Sequence, residues 1–268
     1  MLKLRSIHYL CAIICACGCV TVAAQRVNGE YQPDKNTLFL AHYNNSLDAD
    51  FAVGNPESSG NMSLVSGRFG QGAYAHAGLI EQTNLSKSPF FRMLRYSHQK
   101  NLDITEGTFE VWLKSGFSLA GALNEKNKFN DYYLFHLAIS PGNKDIGLYI
   151  RERRDPKTEK LQYRLCWREM WERISNDIFT MECDVALESG QWYHLAVTWS
   201  PTQRSIYLDG KKVASKANKR TLPNFGPSAR PMAIGSMATY SSRPTEAVID
   251  EVRISNIVRY KNDFQVDK

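Results

Sequence analysis

The sequence predicts an all-β protein built as a two-sheet antiparallel sandwich. From residue 37 onward, short apolar or alternating runs are separated by Gly, Pro, Asn, Asp and Ser, and no long amphipathic helical pattern interrupts them. A dense series of short strands is typical of sandwiches and barrels. The length of 268 residues suits one large domain of this class, predicted at 37–260, with a polar leader at 25–36 and a C-terminal tail at 261–268.

The clearest strand is Trp192–Trp199, which is rich in aromatic and β-branched residues. Two further runs, 205–208 and 211–214, flank Asp209 and Gly210. Asp and Gly tolerate the positive φ angles of a two-residue turn, so this pattern predicts a β-hairpin. The other predicted strands are 38–43, 73–77, 107–114, 132–139, 146–151, 161–168, 178–185, 232–236 and 247–255.

The first 24 residues differ from the rest of the chain. Lys3 and Arg5 precede an apolar run at 9–22, which is followed by two alanines. A basic start, a short apolar run and small residues at its end predict a secretory signal cleaved after Ala24, and therefore a secreted or cell-envelope protein. Two alternatives are an uncleaved membrane anchor, for which the run is short, and a lipid anchor at Cys19, whose surroundings loosely resemble a bacterial lipobox.

The charge of the chain argues against nucleic acid as a partner. The formal net charge of +6 includes two basic residues in the signal and becomes +4 after its removal. No segment combines a basic run with regularly spaced aromatic residues, which is the pattern of nucleic-acid binding. After the signal, no segment is apolar enough to predict a transmembrane span.

Two cysteines, Cys166 and Cys183, remain outside the signal, which contains the other four. Exported proteins with an even number of cysteines commonly pair them. Because the segments around the two residues are predicted to be neighbouring strands joined at 173–177, we predict a disulfide between them. Packed free thiols are the alternative.

Four segments, in order, carry a resemblance to a known family. They are 37–43, 67–74, 107–114, and a stretch that runs from Trp192 through the Asp209-Gly210 pair to 249–254. In their order and spacing the chain resembles the laminin-G-like jelly-roll domains of the concanavalin A-like lectin/glucanase superfamily, especially the bacterial secreted type. The resemblance implies a jelly-roll sandwich. It implies little about the ligand, because this fold is found in lectins, adhesion modules, pentraxins and hydrolases.

The carboxylates do not match those of the related glycosidases, which carry three at alternating positions of one strand, on one face. The matching strand here has only Glu106 and Glu110, and the next alternating position is Trp112. Asp250 and Glu251 are adjacent, so in a regular strand they point to opposite faces. We therefore predict no catalysis, with a hydrolase that has an atypical site as the alternative.

Asp250 lies in an otherwise apolar stretch and needs a partner, because burying an unpaired charge is costly. In several members of the superfamily the matching Asp binds a structural calcium together with main-chain carbonyls. The resemblance therefore implies Ca²⁺ as a cofactor and Asp250 as its ligand. The alternative is a salt bridge or a set of backbone N–H bonds, for example with Arg253 or Arg68.

Aromatic and arginine residues are dense between 129 and 173. Aromatic rings stack on sugars, and arginine donates hydrogen bonds to hydroxyls and carboxylates. We predict a glycan-binding surface here, with Trp167 or Trp171 as the stacking anchor and Tyr133 and Arg164 as further contacts, whereas the alternative is that the aromatics pack inward. The function predicted is a non-catalytic module that binds carbohydrates or cell-surface proteins. The alternatives are a polysaccharide-degrading enzyme and a structural envelope protein.

Overall fold

The computed structural model describes residues 26–27, 29–75, 93–116, 129–139, 144–155, 157–158, 160–172, 176–226, 230–238 and 245–266. These residues form eighteen strands and no helix, so none of their segments is a helix able to cross a membrane. The predicted signal, with Cys19 and Ala24, lies outside the described residues. The strands are β1 (Arg26–Val27), β2 (Glu30–Tyr31), β3 (Thr37–Ala41), β4 (Phe51–Ala52), β5 (Ser59–Gly60), β6 (Ser63–Ser66), β7 (Gln71–Ala75), β8 (Leu94–Tyr96), β9 (Gly107–Ser115), β10 (Phe129–Ile139), β11 (Lys144–Arg154), β12 (Leu161–Glu172), β13 (Asp177–Val185), β14 (Trp192–Trp199), β15 (Gln203–Leu208), β16 (Lys211–Ala217), β17 (Met232–Ile234) and β18 (Ala247–Ser255).

The strands form two large antiparallel sheets. A seven-stranded sheet has the order β13-β12-β11-β10-β17-β8-β5, and a nine-stranded sheet has the order β16-β15-β14-β9-β18-β3-β4, with β6 and β7 joined to it through β18. The first half of β18 pairs with β7 and the second half with β3. The two sheets pack around one core, as the predicted jelly-roll sandwich requires, and every long predicted strand is present.

Alternation along each strand separates the core from the outer faces. In β9, Phe109, Val111 and Leu113 belong to the core cluster, while Glu110 and Trp112 lie on the other side of the sheet. Successive side chains of a strand point to opposite faces, so one strand can supply both an apolar core and a polar outer layer.

The predicted hairpin is confirmed at Asp209 and Gly210. Both residues have positive φ angles, 49° and 76°, as a two-residue turn between β15 and β16 requires. A Cβ atom at Gly210 would lie 2.1 Å from the main-chain oxygen of Phe264, so this position also needs glycine for close packing against the C-terminal segment.

A buried ion pair connects the two sheets at one edge of the core. The guanidinium of Arg204 in β15 donates to both carboxylate oxygens of Glu169 in β12, and both side chains are fully buried. Glu169 also accepts hydrogen bonds from the indole N–H of Trp167 and from Asn218, at 2.7 and 3.1 Å. The charge is therefore compensated within the core, which is the condition for burying it.

The two ends of the described chain cover the outer face of the nine-stranded sheet. Tyr31 is fully buried, and its hydroxyl lies 2.7 Å from Nε2 of His194. From the C-terminal side, Tyr260 stacks on Phe264 with ring centroids 3.6 Å apart. Residues of the predicted leader and tail thus pack against the domain and complete it. The outer face of the seven-stranded sheet is the other broad face of the sandwich.

Candidate functional site

The strand register places three arginines of the 129–173 region on one surface. Across β10, β11, β12 and β13, one row of outward side chains contains Asp131, Arg151, Arg164 and Asp184, the next contains Tyr133, Tyr149, Cys166 and Glu182, and the third contains His136, Gly147, Arg168 and Thr180. Asp145 follows in the fourth row. These residues together are called the arginine face.

Carboxylates fix the three guanidinium groups of the arginine face. Arg151 donates to Asp131 at 2.7 and 2.9 Å, and Arg168 donates to Asp145 at 3.1 and 2.9 Å. Arg164 donates to Asp184 and to Glu182 in the neighbouring strand, each at 2.9 Å. Two hydrogen bonds hold each guanidinium plane in one orientation. The arginine side chains remain 30, 27 and 25% exposed for Arg151, Arg168 and Arg164, so a ligand can contact them.

The centre of the arginine face is aromatic but covered. The rings of Tyr133 and Tyr149 stack at 4.8 Å, and both are buried, with Met237 packed against the pair. Since its ring is not accessible, Tyr133 does not offer the sugar-stacking surface that the sequence predicted. The hydroxyl of Tyr133 is also buried and has no hydrogen-bond partner among the described residues.

His136 lies beside Tyr133, with the ring centroids 5.0 Å apart. Its burial, and then the positive charges of Arg168 and Arg230, lower the pKa of this imidazole to about 3, so the ring is neutral. Nδ1 accepts a hydrogen bond from the N–H of Ala238 at 2.9 Å, which places the ring proton on Nε2. Nε2 is buried and has no hydrogen-bond partner in the part of the chain that the structure describes.

The prediction of Trp167 as the stacking anchor is wrong. Trp167 is fully buried on the core side of β12, parallel to Trp199 with ring centroids 6.2 Å apart. The physical reason is the alternation of side chains in β12, in which residues with even numbers face outward and residues with odd numbers, such as Trp167, face the core. Trp171 is half-buried, and the guanidinium of Arg220 lies 4.1 Å from its ring centroid, so one face of the ring is already occupied. Of the predicted contacts, Arg164 is the one that belongs to an accessible surface.

The predicted disulfide is also wrong for this structure. Cys166 pairs across the sheet with Glu182, and Cys183 pairs with Leu165, so the two thiols point to opposite faces of the sheet. Both are free, and a disulfide needs the two Cβ atoms on the same side. Burial raises the pKa of Cys166 to about 12 and that of Cys183 to about 11.

Glu110 is enclosed as a structural anion. It accepts hydrogen bonds from Arg253 at 2.8 and 2.6 Å and from the hydroxyl of Tyr260 at 2.6 Å. Burial alone would raise its pKa, but the charge of Arg253 and the hydrogen bond with His194 hold the pKa well below its usual range. The terminal segments cover this carboxylate, so Glu110 has no access to a substrate. Glu106 precedes the strand and is not part of this cluster.

Asp250 is held by backbone N–H groups. One carboxylate oxygen accepts from Arg68 and Phe69 at 2.7 and 3.1 Å, and the other accepts from Glu251 at 2.8 Å. Burial raises the pKa of Asp250 to about 7 in spite of these bonds. Three N–H dipoles directed at both oxygens do not fit a calcium ion, which needs six to eight oxygen ligands. The described residues include no group of three or more His, Cys, Asp or Glu that could hold a metal.

A groove lies beside β8 and β5, at one edge of the seven-stranded sheet. It consists of two adjoining cavities of 330 and 460 Å³ that share His98 and Gln99. The first is lined by residues of 55–59 and 95–99, and the second extends to Asn224–Gly226. We call these two cavities the loop groove. No periodic pattern marks loop residues, so the sequence did not predict this groove, whereas alternating charges in β11 and β12 would have indicated the arginine face.

Comparisons with known proteins agree with this architecture. The sequence profile of the family Laminin_G_3, described as the concanavalin A-like lectin/glucanases superfamily, matches residues 94–263. Domain 4 of AbnA, a GH43 extracellular arabinanase from Geobacillus stearothermophilus solved in complex with arabinotriose, is similar in structure with a TM-score of 0.52 and 16% identity, covering 84% of this chain and 96% of that domain.

The sialidase of Trypanosoma rangeli is also similar in structure, with a TM-score of 0.51 and 13% identity over 88% of this chain, but the match spans only 34% of the sialidase. No curated protein sequence matches the chain. At these identities the structural similarities show the fold alone. The profile match covers more than half of the chain, so the chain belongs to the Laminin_G_3 family of the concanavalin A-like lectin/glucanase superfamily.

Proposed function

We propose that this protein is an exported, non-catalytic carbohydrate-binding module whose arginine face contacts an extended glycan. One observation carries the proposal. Three guanidinium groups, those of Arg151, Arg164 and Arg168, are fixed by carboxylates on one accessible sheet surface.

Fixed guanidinium groups suit sugar recognition because their planar N–H donors match pairs of hydroxyl or carboxylate oxygens. Holding them in place before binding reduces the entropy lost when the ligand binds. Arg151 and Arg164 are directly opposite each other, about 5 Å apart, and Arg168 lies four residues further along β12, at about 13 Å. This spacing favours a ligand that runs along the strand over several sugar units.

The similar arabinanase domain supports the carbohydrate class, since that domain was solved with arabinotriose bound. The predicted secretory signal supports export of the protein. Export would bring it to the glycans of cell surfaces and matrices, which lie outside the cytoplasm.

Carboxylate spacing supports binding over hydrolysis. Asp131 in β10 lies opposite Arg151 in β11. Arg151 is six residues from Asp145 along β11, so the two aspartates are about 20 Å apart along the strand direction. Glycosidase carboxylates lie about 5–9.5 Å apart. Glu182 and Asp184 share one face at about 7 Å, which favours hydrolysis as a second candidate function, but both carboxylates are engaged by Arg164.

The binding proposal is tested with a glycan array and calorimetry on the chain without its signal. Arg164→Gln and Arg168→Gln should each weaken binding about 10-fold, because hydrogen bonds from charged groups contribute about 1.5–3 kcal/mol. Arg220→Gln is the matched control, since Arg220 forms a similar exposed pair with Asp177 outside the arginine face. Equal affinities of all three variants and the wild type would contradict the arginine face as the binding surface.

Hydrolysis is tested on the same glycans by the release of reducing sugar. We expect none from the wild-type protein. Release that disappears in Glu182→Gln, and persists in Glu106→Gln, would establish the enzyme instead.

A further inference from the structure

The walls of the loop groove are tied together by a buried side chain. Asn101 is fully buried, and its amide oxygen accepts from the N–H of Gly54 at 2.7 Å. Its amide nitrogen donates to the main-chain oxygens of Asn55 and Ser97, at 3.0 and 3.1 Å. One side chain therefore connects the two loops between which the first cavity opens.

Two further contacts fix the same walls. A Cβ atom at position 54 would lie 2.2 Å from the main-chain oxygen of Gln99, so the two loops approach this closely because Gly54 has no side chain. On the other side, Asp48 accepts from both the N–H and the hydroxyl of Ser58, at 2.7 and 2.8 Å. The groove is thus preformed, which is usual for small-molecule sites.

The lining of the groove carries both signs of charge and many uncharged polar groups. Glu57 and Arg95 lie in the first cavity together with Asn55 and Gln99. A hydroxyl both donates and accepts hydrogen bonds, so a ligand with many hydroxyls matches such a mixed lining. Because Glu57 and Arg95 lie in the same cavity, the lining does not favour a ligand of either charge.

His98 lines both cavities and provides an acceptor. Its Nε2 lies 3.2 Å from the main-chain oxygen of Gly226, and because a carbonyl only accepts, Nε2 carries the proton of this bond. Burial lowers the pKa of His98, which favours the neutral ring. Nδ1 of the neutral ring is then an acceptor for a ligand hydroxyl.

We infer that the loop groove is a second saccharide-binding site, specific for a neutral, hydroxyl-rich sugar and separate from the arginine face. The cavities of 330 and 460 Å³ fall within the range of about 300–1,000 Å³ that is usual for ligand sites. The inference rests on the carbohydrate class of the proposed function but not on the arginine face.

The test uses the whole chain without its signal and a panel of neutral trisaccharides built from arabinose, xylose, galactose or glucose. Calorimetry compares the wild type with Glu57→Gln, His98→Gln and Arg164→Gln, and NMR follows the ring signals of His98. A trisaccharide bound in the groove should shift the His98 signals, bind 5- to 10-fold more weakly to the Glu57 and His98 variants, and bind unchanged to Arg164→Gln. Glu188→Gln, an exposed substitution outside the groove, is the matched control.

The other outcomes overturn either the groove as a saccharide site or the groove and the proposed function together. If affinity falls in Arg164→Gln and not in the Glu57 and His98 variants, the groove is not a saccharide site and the proposed function stands. If no trisaccharide binds and the glycan array is also empty, both are wrong. Should His98→Gln fail to fold, the exposed Glu57 still tests the groove, because its substitution does not disturb the packing.

Discussion

Several ionised side chains of this domain lie fully out of water, and each has a partner of opposite charge. Glu110 is paired with Arg253 beneath the terminal segments, and Glu169 with Arg204 in the core. Such pairs contribute little net stability compared with apolar packing, but removing one member leaves a buried charge without compensation. Removing one member of such a pair therefore costs more stability than the intact pair contributes.

Glu110→Gln should lower the free energy of unfolding by about 3–5 kcal/mol, because Arg253 then keeps a buried charge without its carboxylate. Urea denaturation followed by tryptophan fluorescence measures the change. Glu106→Gln, four residues earlier and outside the cluster, is the control and should change stability by less than about 0.5 kcal/mol. Similar losses for the two variants would mean that the Glu110–Arg253 pair is not the cause.

At the scale of elements, the last strand of the nine-stranded sheet and the loop before β7 depend on each other. The register of β18 against β9 shifts between Asp250 and Arg253, and Glu251 has a positive φ of 53°. This irregularity allows the adjacent Asp250 and Glu251 to bond different segments. Asp250 holds the N–H groups of Arg68 and Phe69, while Glu251 accepts from the N–H of Tyr31 at 2.7 Å.

Because backbone N–H groups already surround Asp250, removing calcium should not destabilise the domain. We expect melting temperatures in EDTA and in millimolar calcium to agree within about 1 °C. An ion that bound the folded state would raise the melting temperature by mass action, so equal values mean that calcium does not bind. Differential scanning fluorimetry checks this. A higher melting temperature in calcium that is lost in Asp250→Asn would instead support a calcium site.

At the scale of the whole molecule, the two chain ends close the sandwich together. Asp34 accepts two hydrogen bonds from Arg259, at 2.9 and 2.8 Å, and this contact joins segments 225 residues apart. The hydrogen bonds and charge of Arg259 hold the pKa of Asp34 well below its usual range. A carboxylate with a depressed pKa stabilises the folded state above its ordinary pKa of about 4, and the contribution is lost as the pH falls below that value.

Asp34→Asn should therefore cost about 1–3 kcal/mol at pH 7, the value of a lost hydrogen-bonded charge. The difference from the wild type should shrink progressively as the pH falls below about 4. Below that pH the carboxylate takes up a proton when the wild-type protein unfolds, and this proton uptake favours unfolding. Urea midpoints of both proteins between pH 3 and pH 8 measure it. Glu188→Gln, an exposed substitution away from this contact, is the control, and an effect of Asp34→Asn that does not vary with pH would contradict the ion-pair explanation.

Much of the fold could be predicted from the sequence, since alternation and turn chemistry are local properties. The strand Trp192–Trp199 and the hairpin turn at Asp209 and Gly210 are examples. Six short strands, β1, β2, β4, β5, β6 and β8, were missed, because two to four residues form no recognisable pattern and are held by their neighbours in the fold.

The sequence by itself determined the sandwich, its family and the concentration of aromatic and arginine residues in 129–173. Only the tertiary structure decided which of them are accessible, because strand register assigns each residue to a face. Register turned Trp167 toward the core, placed Cys166 and Cys183 on opposite sides, and collected Arg164 with its partners outside. The loop groove depends on residues distant in the chain, such as Gly54 and Asn101, and contacts of that kind leave no local pattern to read.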